Sequence, residues 1–228
     1  MDSIKNQPFF CSWSGGKDSC LALYRAIKRG GVPAHLLTMM TENGERSRSH
    51  GLKLSILKYQ SEALGIPLVV SSASWEDYER VFLSTIRDFN KNGIRQGIFG
   101  DIDLEEHLQW VERVCSSAEI NPYEPLWQQE RKGLLDEFIS LGFKAVIISV
   151  KENLLEKNFL GKILDKKLIM EFEKSGIDAS GEKGEYHTLV IDGPIFSSGI
   201  ELGDKGHISI DGYCFLDVYP VRLNKKNT

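Results

Sequence analysis

The stretch Phe9-Phe10-Cys11-Ser12-Trp13-Ser14-Gly15-Gly16-Lys17-Asp18-Ser19-Cys20-Leu21-Ala22-Leu23-Tyr24 decides the fold. Phe9–Trp13 is a short apolar run and reads as a strand. Ser14-Gly15-Gly16 is a turn. Asp18–Arg29 places apolar residues at helical spacing, carries Arg25, Lys28 and Arg29 in its last turn, and stops at Gly30-Gly31. A glycine loop between a first strand and a first helix is where an α/β sheet binds phosphate. Two glycines let backbone N–H groups approach anionic oxygens without a Cβ in the way. The helix start directs its free N–H groups and positive dipole end to the same place. Ser14 and Ser19 offer hydroxyls and Lys17 a point charge. The pattern is not a Walker A loop, because Asp18 stands where Ser or Thr would hold magnesium and Cys11 where a glycine is required. The same spacing also suits a plain strand–turn–helix with a capping Asp or Ser.

Working outward, strands are expected at Ala34–Met40, Ile66–Val70 and Gln96–Gly100, with helices at His50–Leu64, Trp75–Asn90 and about Leu104–Ala118. Strand and helix alternate four times, which predicts a parallel sheet covered by helices on both faces with right-handed crossovers. Asn121-Pro122-Tyr123-Glu124-Pro125-Leu126-Trp127 holds two prolines and reads as an irregular linker. Beyond it we expect a helix at about Gln129–Leu141, a strand at Lys144–Val150, a helix at about Lys162–Lys174 and a strand at Tyr186–Ile191. From Ile195 glycines punctuate short β-prone runs, as in hairpins. The expected architecture is α/β: a Rossmann-like parallel sheet in residues 1–120 and a smaller α+β domain in residues 121–228.

The 228 residues carry 28 Lys+Arg against 32 Asp+Glu, a net charge of −4. Such a chain is a poor candidate for gripping nucleic acid by charge, which needs many Lys/Arg–phosphate contacts. With this length it buries roughly 70–75% of its unfolded surface and needs no disulfide or metal to fold. No apolar run nears the ~20 residues that span a bilayer, and the polar start Met1–Gln7 lacks a signal-peptide core. Cys11, Cys20, Cys115 and Cys214 form no Cys-x-x-Cys pair and fit no zinc spacing, so four reduced thiols in a cytoplasmic protein are expected. Trp13, Trp75, Trp110 and Trp127 fall in apolar stretches and read as core.

Ser14–Ser19 resembles the pyrophosphate loop of the PP-loop ATPases, Ser-Gly-Gly-x-Asp-Ser after the first strand. That resemblance implies a Rossmann-like (HUP, adenine nucleotide α-hydrolase-like) fold, ATP cleaved between its α- and β-phosphates, and a carbonyl activated as its adenylate. Three further segments narrow it: Ser47-Arg48-Ser49-His50; Phe99-Gly100-Asp101-Ile102 with Trp110–Cys115 and Pro125-Leu126-Trp127; and Gly181-Glu182-Lys183-Gly184-Glu185-Tyr186-His187-Thr188 before Asp192-Gly193-Pro194-Ile195-Phe196. Together they resemble the diphthine–ammonia ligase family from about Phe9 to Phe196. The resemblance implies an ATP-dependent amide ligase: the carboxylate of diphthine is adenylated, pyrophosphate is released, and ammonia displaces AMP. Lys183 stands where the family has a second glycine, His187 where it has Glu, and Arg48-Ser49 where an aromatic or Met precedes His50. These variants look like a bacterial branch. Bacteria do not make diphthamide, so the reaction type carries over more safely than the acceptor.

On this reading Ser12, Ser14, Gly15, Gly16, Lys17, Asp18, Ser19, Met39, His50, Gly100 and Asp101 would bind ATP, with Asp18 also touching a magnesium ion through it. Lys17, Asp18, Glu182, Glu185 and His187 would carry the chemistry. The two carboxylates are suited to binding ammonium, orienting magnesium or serving as base on ammonia. Arg46, Arg48, Gly184 and Thr188 would bind the acceptor, a small molecule or a protein, since arginines pair bidentately with carboxylates. Blander readings stand beside these: Asp18 as a helix cap, His50 as a surface residue, the arginines as a solvated loop and Glu182–His187 as an acidic turn. Competing functions are a tRNA-modifying ligase or thiolase of the PP-loop group and a nucleotide-binding protein without turnover. A homodimer is compatible with the sequence and not demanded by it.

Overall fold

The computed structural model describes residues 4–226, which divide into two compact units. The first comprises residues up to Ser14, Asp18–Leu54 and Ile66–Gln129. The second comprises Gly15–Lys17, Ser55–Gly65 and the chain from Glu130. The main change of unit thus falls after Gln129, beyond the Ile120 boundary expected from sequence.

The first unit is built on a five-stranded parallel sheet of order β3-β2-β1-β4-β5, formed by β1 (Pro8–Ser12), β2 (Val32–Met40), β3 (Leu68–Ser72), β4 (Gln96–Ile98) and β5 (Asn121–Tyr123). It includes α1 (Lys17–Lys28) from Asp18 onward, α3 (Tyr78–Lys91) and α4 (Glu105–Ser117); α2 (Leu54–Leu64) groups almost wholly with the second unit. Phe9, Phe10 and Cys11 are all fully buried, as a central parallel strand covered on both faces requires. Phe10 packs with Leu37 and Met39 of β2, Phe82, Ile86 and Phe89 of α3, and Val111, Val114 and Cys115 of α4. Successive side chains alternate between faces, and Cys11 points the other way, its thiol reaching the carbonyl of Ser19 in α1 at 3.8 Å. The expected α/β fold is present, with one strand more than the sequence suggested. Asn121–Tyr123, read as a linker, pairs in parallel with Gln96–Ile98. β5 is an edge strand, so Pro122, which has no N–H to give, is tolerated there.

The second unit holds an antiparallel sheet of order β7-β6-β9-β8, from β6 (Lys144–Lys151), β7 (Tyr186–Asp192), β8 (Ser198–Ile210) and β9 (Tyr213–Lys225), with α5 (Arg131–Ser140) and α6 (Lys166–Lys174). β8 and β9 form one long hairpin closed by Asp211 and Gly212, both at positive φ (51° and 79°). That backbone matches the twist of the flanking strands in a two-residue turn. Several helix starts move from their expected positions. α6 begins at Lys166, because the Asp165 carboxylate caps it by accepting from Leu168 N–H at 2.8 Å. α2 begins at Leu54, not His50, because Arg46 and Ser47 form bridge pairs with Lys53 and Met40 and hold the intervening chain as a turn. Trp75 is a second correction: it is 70% exposed rather than core. All four cysteines are free and buried, and no described helix is long and apolar enough to cross a membrane.

Candidate functional site

The glycine loop leaves β1 through Trp13, whose N–H donates to Leu37 O at 2.7 Å and whose carbonyl accepts from Thr38 Oγ1 at 2.6 Å. This anchors the strand side of the loop to β2. Within the first unit, Ser14 and Ser19 approach through their hydroxyls at 3.0 Å. Gly15 adopts φ +82°, which its missing Cβ allows. In the second unit its carbonyl accepts two hydrogen bonds, from Val190 N–H at 2.9 Å and from Gln60 Nε2 at 2.9 Å. The Gln60 amide also donates to Val190 O at 2.8 Å. Gln60 is fully buried on the face of α2 that carries Ile56, Leu57 and Ala63. A lone glutamine at a core position of an apolar helix face was the sequence signal for this brace, and sequence reasoning missed it.

Lys17 meets the acidic turn. Its backbone N–H donates to Thr188 Oγ1 at 3.1 Å, and its ammonium lies 3.4 Å from Glu182 Oε1. Both charged side chains are largely buried, 8% and 15% exposed. Gly181 and Gly184 supply the positive φ values that fold the turn. A Cβ at Gly184 would come 2.8 Å from the Tyr213 hydroxyl. Glu185 is buried and accepts from Lys183 N–H at 3.0 Å within the turn. His187 stacks on Tyr213 of β9, ring centres 6.0 Å apart. The second unit therefore brings Gly15, Lys17, Glu182 and Thr188 together, with Gly16 in the same loop. Glu185, Gly184 and His187 turn to neighbours of their own.

The remaining expected residues lie in the first unit. Ser12 ends β1. Met39 buries its side chain in the core, and its carbonyl accepts from Arg48 N–H at 2.9 Å. Gly100 sits against the start of α1; a Cβ there would lie 2.9 Å from Ser19 N and 3.0 Å from the Asp18 carbonyl carbon. Asp101 Oδ1 and His107 Nδ1 are 3.0 Å apart. Arg46 donates to Gly51 O at 2.9 Å, and His50 lies in that turn. Arg46 and Arg48 line an open cleft of about 420 Å3 with Thr41, Glu42, Asn43 and Glu45. Glu124, given no role by the sequence, directly follows β5. Burial and the charges of Asp101 and Glu112 push its carboxyl up to about 7, against the opposing charge of His107. Among the described residues no three His, Cys, Asp or Glu side chains group as metal ligands.

The model of the diphthamide synthase N-terminal domain matches residues 9–122, and that of its C-terminal domain matches residues 130–219. The chain belongs to the diphthamide synthase family. Two relatives of this family are named diphthine–ammonia ligase. The protein of Schizosaccharomyces pombe is 27% identical over 90% of this chain, and this chain spans 38% of its length. That of Danio rerio is 26% identical over 94% of each chain. Among solved structures, a predicted subunit of a tRNA methyltransferase from Methanocaldococcus jannaschii aligns with a TM-score of 0.46 and 15% identity, covering 82% of this chain and 98% of that one.

Proposed function

We propose that this chain is an ATP-dependent ligase that adenylates a carboxylate, releases pyrophosphate and joins the activated carbonyl to ammonia. One observation carries the reading: Lys17, from a pyrophosphate-type loop, contacts Glu182, from the acidic turn, in a largely buried ion pair at 3.4 Å. Family membership supports the ligase class. In the proposed reaction an acceptor carboxylate oxygen attacks the α-phosphorus and the bond to the pyrophosphate oxygen breaks. Ammonia then attacks the acyl carbon, AMP leaves, and the proton lost from nitrogen passes to a carboxylate, Glu182 or Glu185. Lys17 and the N–H groups of Gly15 and Gly16 would take the negative charge of the leaving pyrophosphate, which fixed donors in a dry site stabilise most. Ser14, Asp18, Ser19, Gly100 and Asp101 would complete the nucleotide site, and Arg46 and Arg48 would hold the acceptor.

Magnesium fits this donor set in one way. The ion keeps several waters and binds through one or two carboxylates plus phosphate oxygens, so Asp18 and the nucleotide would hold it, and it would neutralise phosphate charge.

The test is the stoichiometry of AMP, pyrophosphate and amide formed from ATP, ammonium and a panel of carboxylates. Equal yields of the three are expected; release of ADP and phosphate would remove the adenylate route. Removing the Glu182 and Glu185 charges with the double Gln variant should leave ATP affinity equal or tighter, because a competitor for Lys17 is gone. The same variant should slow amide formation at least a hundredfold, within the usual range of 10²–10⁴ for a lost acid–base group.

A further inference from the structure

Trp75 is the most exposed large apolar side chain among the described residues, at 70%. It follows β3, whose last residue Ser72 pairs with Met40 at the end of β2. Trp75 and Arg48 thus both lie just past the carboxyl ends of parallel strands, the side on which open α/β sheets bind ligands. The Arg48 guanidinium lies over the Trp75 ring, 4.7 Å from its centre. It is pinned there: Nε donates to Ala73 O at 3.0 Å, and Nη2 donates to the same carbonyl. Arg48 makes no ion pair among the described residues, so its charge rests on a neutral carbonyl and a ring. Beside Trp75 stands Tyr78 at 5.8 Å, with Phe82 stacked on Tyr78 and Trp110 tilted against it. At 70% exposure, much of the Trp75 side chain stays open to water with the guanidinium over its ring. The fixed guanidinium favours an anion and repels a cation; the exposed indole favours a flat π-system.

We propose that Arg48 and Trp75 form a subsite for the acceptor, and that the acceptor is a planar, unsaturated carboxylate. Its ring lies on the exposed surface of Trp75 and a carboxylate oxygen accepts from the free N–H groups of Arg48. The word acceptor rests on the ligase reading above; the ring-and-anion chemistry rests on the geometry of Arg48 and Trp75.

Calorimetric titration of the full chain with benzoate, cyclohexanecarboxylate, benzamide and AMP separates the alternatives. Benzoate should bind. Cyclohexanecarboxylate, which keeps the charge and loses the flat ring, should bind about tenfold more weakly, as should benzamide, which keeps the ring and loses the charge. Trp75→Leu and Arg48→Met should each weaken benzoate by tenfold or more, while Trp75→Phe retains most of the affinity. Equal affinity for benzoate and cyclohexanecarboxylate, or unchanged benzoate binding in Trp75→Leu, overturns the proposal. So does loss of AMP binding in Trp75→Leu, since the ring would then serve the nucleotide base. Failure to release AMP from ATP with any acceptor would sink the ligase reading and leave these binding results standing.

Discussion

Both carboxylate oxygens of Glu124 are buried without a hydrogen-bond partner, while Lys17 and Glu182, also largely buried, hold each other. Burial without compensation favours the neutral acid, and nearby Asp101 and Glu112 add repulsion, which raises the pKa to about 7. The sign follows from linkage. The unfolded chain gives up this proton near the ordinary carboxylate pKa and the folded chain keeps it, so the folded state loses stability as pH rises from about 4.5 through 7. With partial solvent access allowed for, the loss is on the order of 1–2 kcal/mol. Glu124→Gln should abolish that part of the pH dependence and raise the melting temperature at pH 8 while leaving pH 5 nearly unchanged. Melting curves between pH 5 and 8 decide it; parallel profiles for the two proteins would refute the assignment. Residues of this kind were the least legible in the sequence. Gln60 and Glu124 are defined by what surrounds them after folding. Trp75 was read as core from its residue type, although Ser71, Ser72, Ser74, Glu76 and Asp77 flank it, a polar setting that matches its exposure.

At the level of elements, periodicity and glycine punctuation located most strands and helices, since burial of β1 on both faces and one apolar face of α3 leaves a direct mark on the sequence. Errors cluster where long-range pairing overrides local signals. β5 exists because Asn121–Tyr123 finds β4, and the Met40–Ser47 and Arg46–Lys53 bridges delay α2 to Leu54. Gly100 shows how one element constrains another. Read as a ligand contact, it also lets the chain after β4 pass against the first turn of α1, where backbone atoms lie within 3.1 Å of any added Cβ. Backbone cannot swing aside as a side-chain end can, so Gly100→Ala must shift the start of α1. Overpacking of this sort costs about 1–3 kcal/mol. The expected result is a lower urea midpoint with an unchanged slope, together with weaker ATP binding because Asp18 and Ser19 move. A midpoint equal to the parent's would show that the approach is looser than the structure has it.

Over the whole chain, the glycine loop and acidic turn made the functional class legible, because backbone–phosphate chemistry demands particular residues in contiguous order. The acceptor was not legible, because the residues proposed to hold it, such as Arg46 and Arg48, are of types common on any surface. Net charge bears on the competing tRNA-directed reading. With 32 acidic against 28 basic residues, the chain lacks the excess of cations that releases counterions from a polynucleotide, and that release supplies most non-specific affinity. A tRNA substrate would then need a local basic surface. Arg46 and Arg48 are two cations in a cleft that also holds Glu42 and Glu45, too few to track a polynucleotide backbone. Adding bulk tRNA should therefore leave AMP and pyrophosphate release unchanged, and filter binding at about 150 mM salt should show no complex at micromolar protein. Non-specific binders reach dissociation constants of about 10⁻⁴–10⁻⁶ M under such conditions, so affinity tighter than that, with a steep fall as salt increases, would reverse the assignment and make the acceptor a nucleic acid.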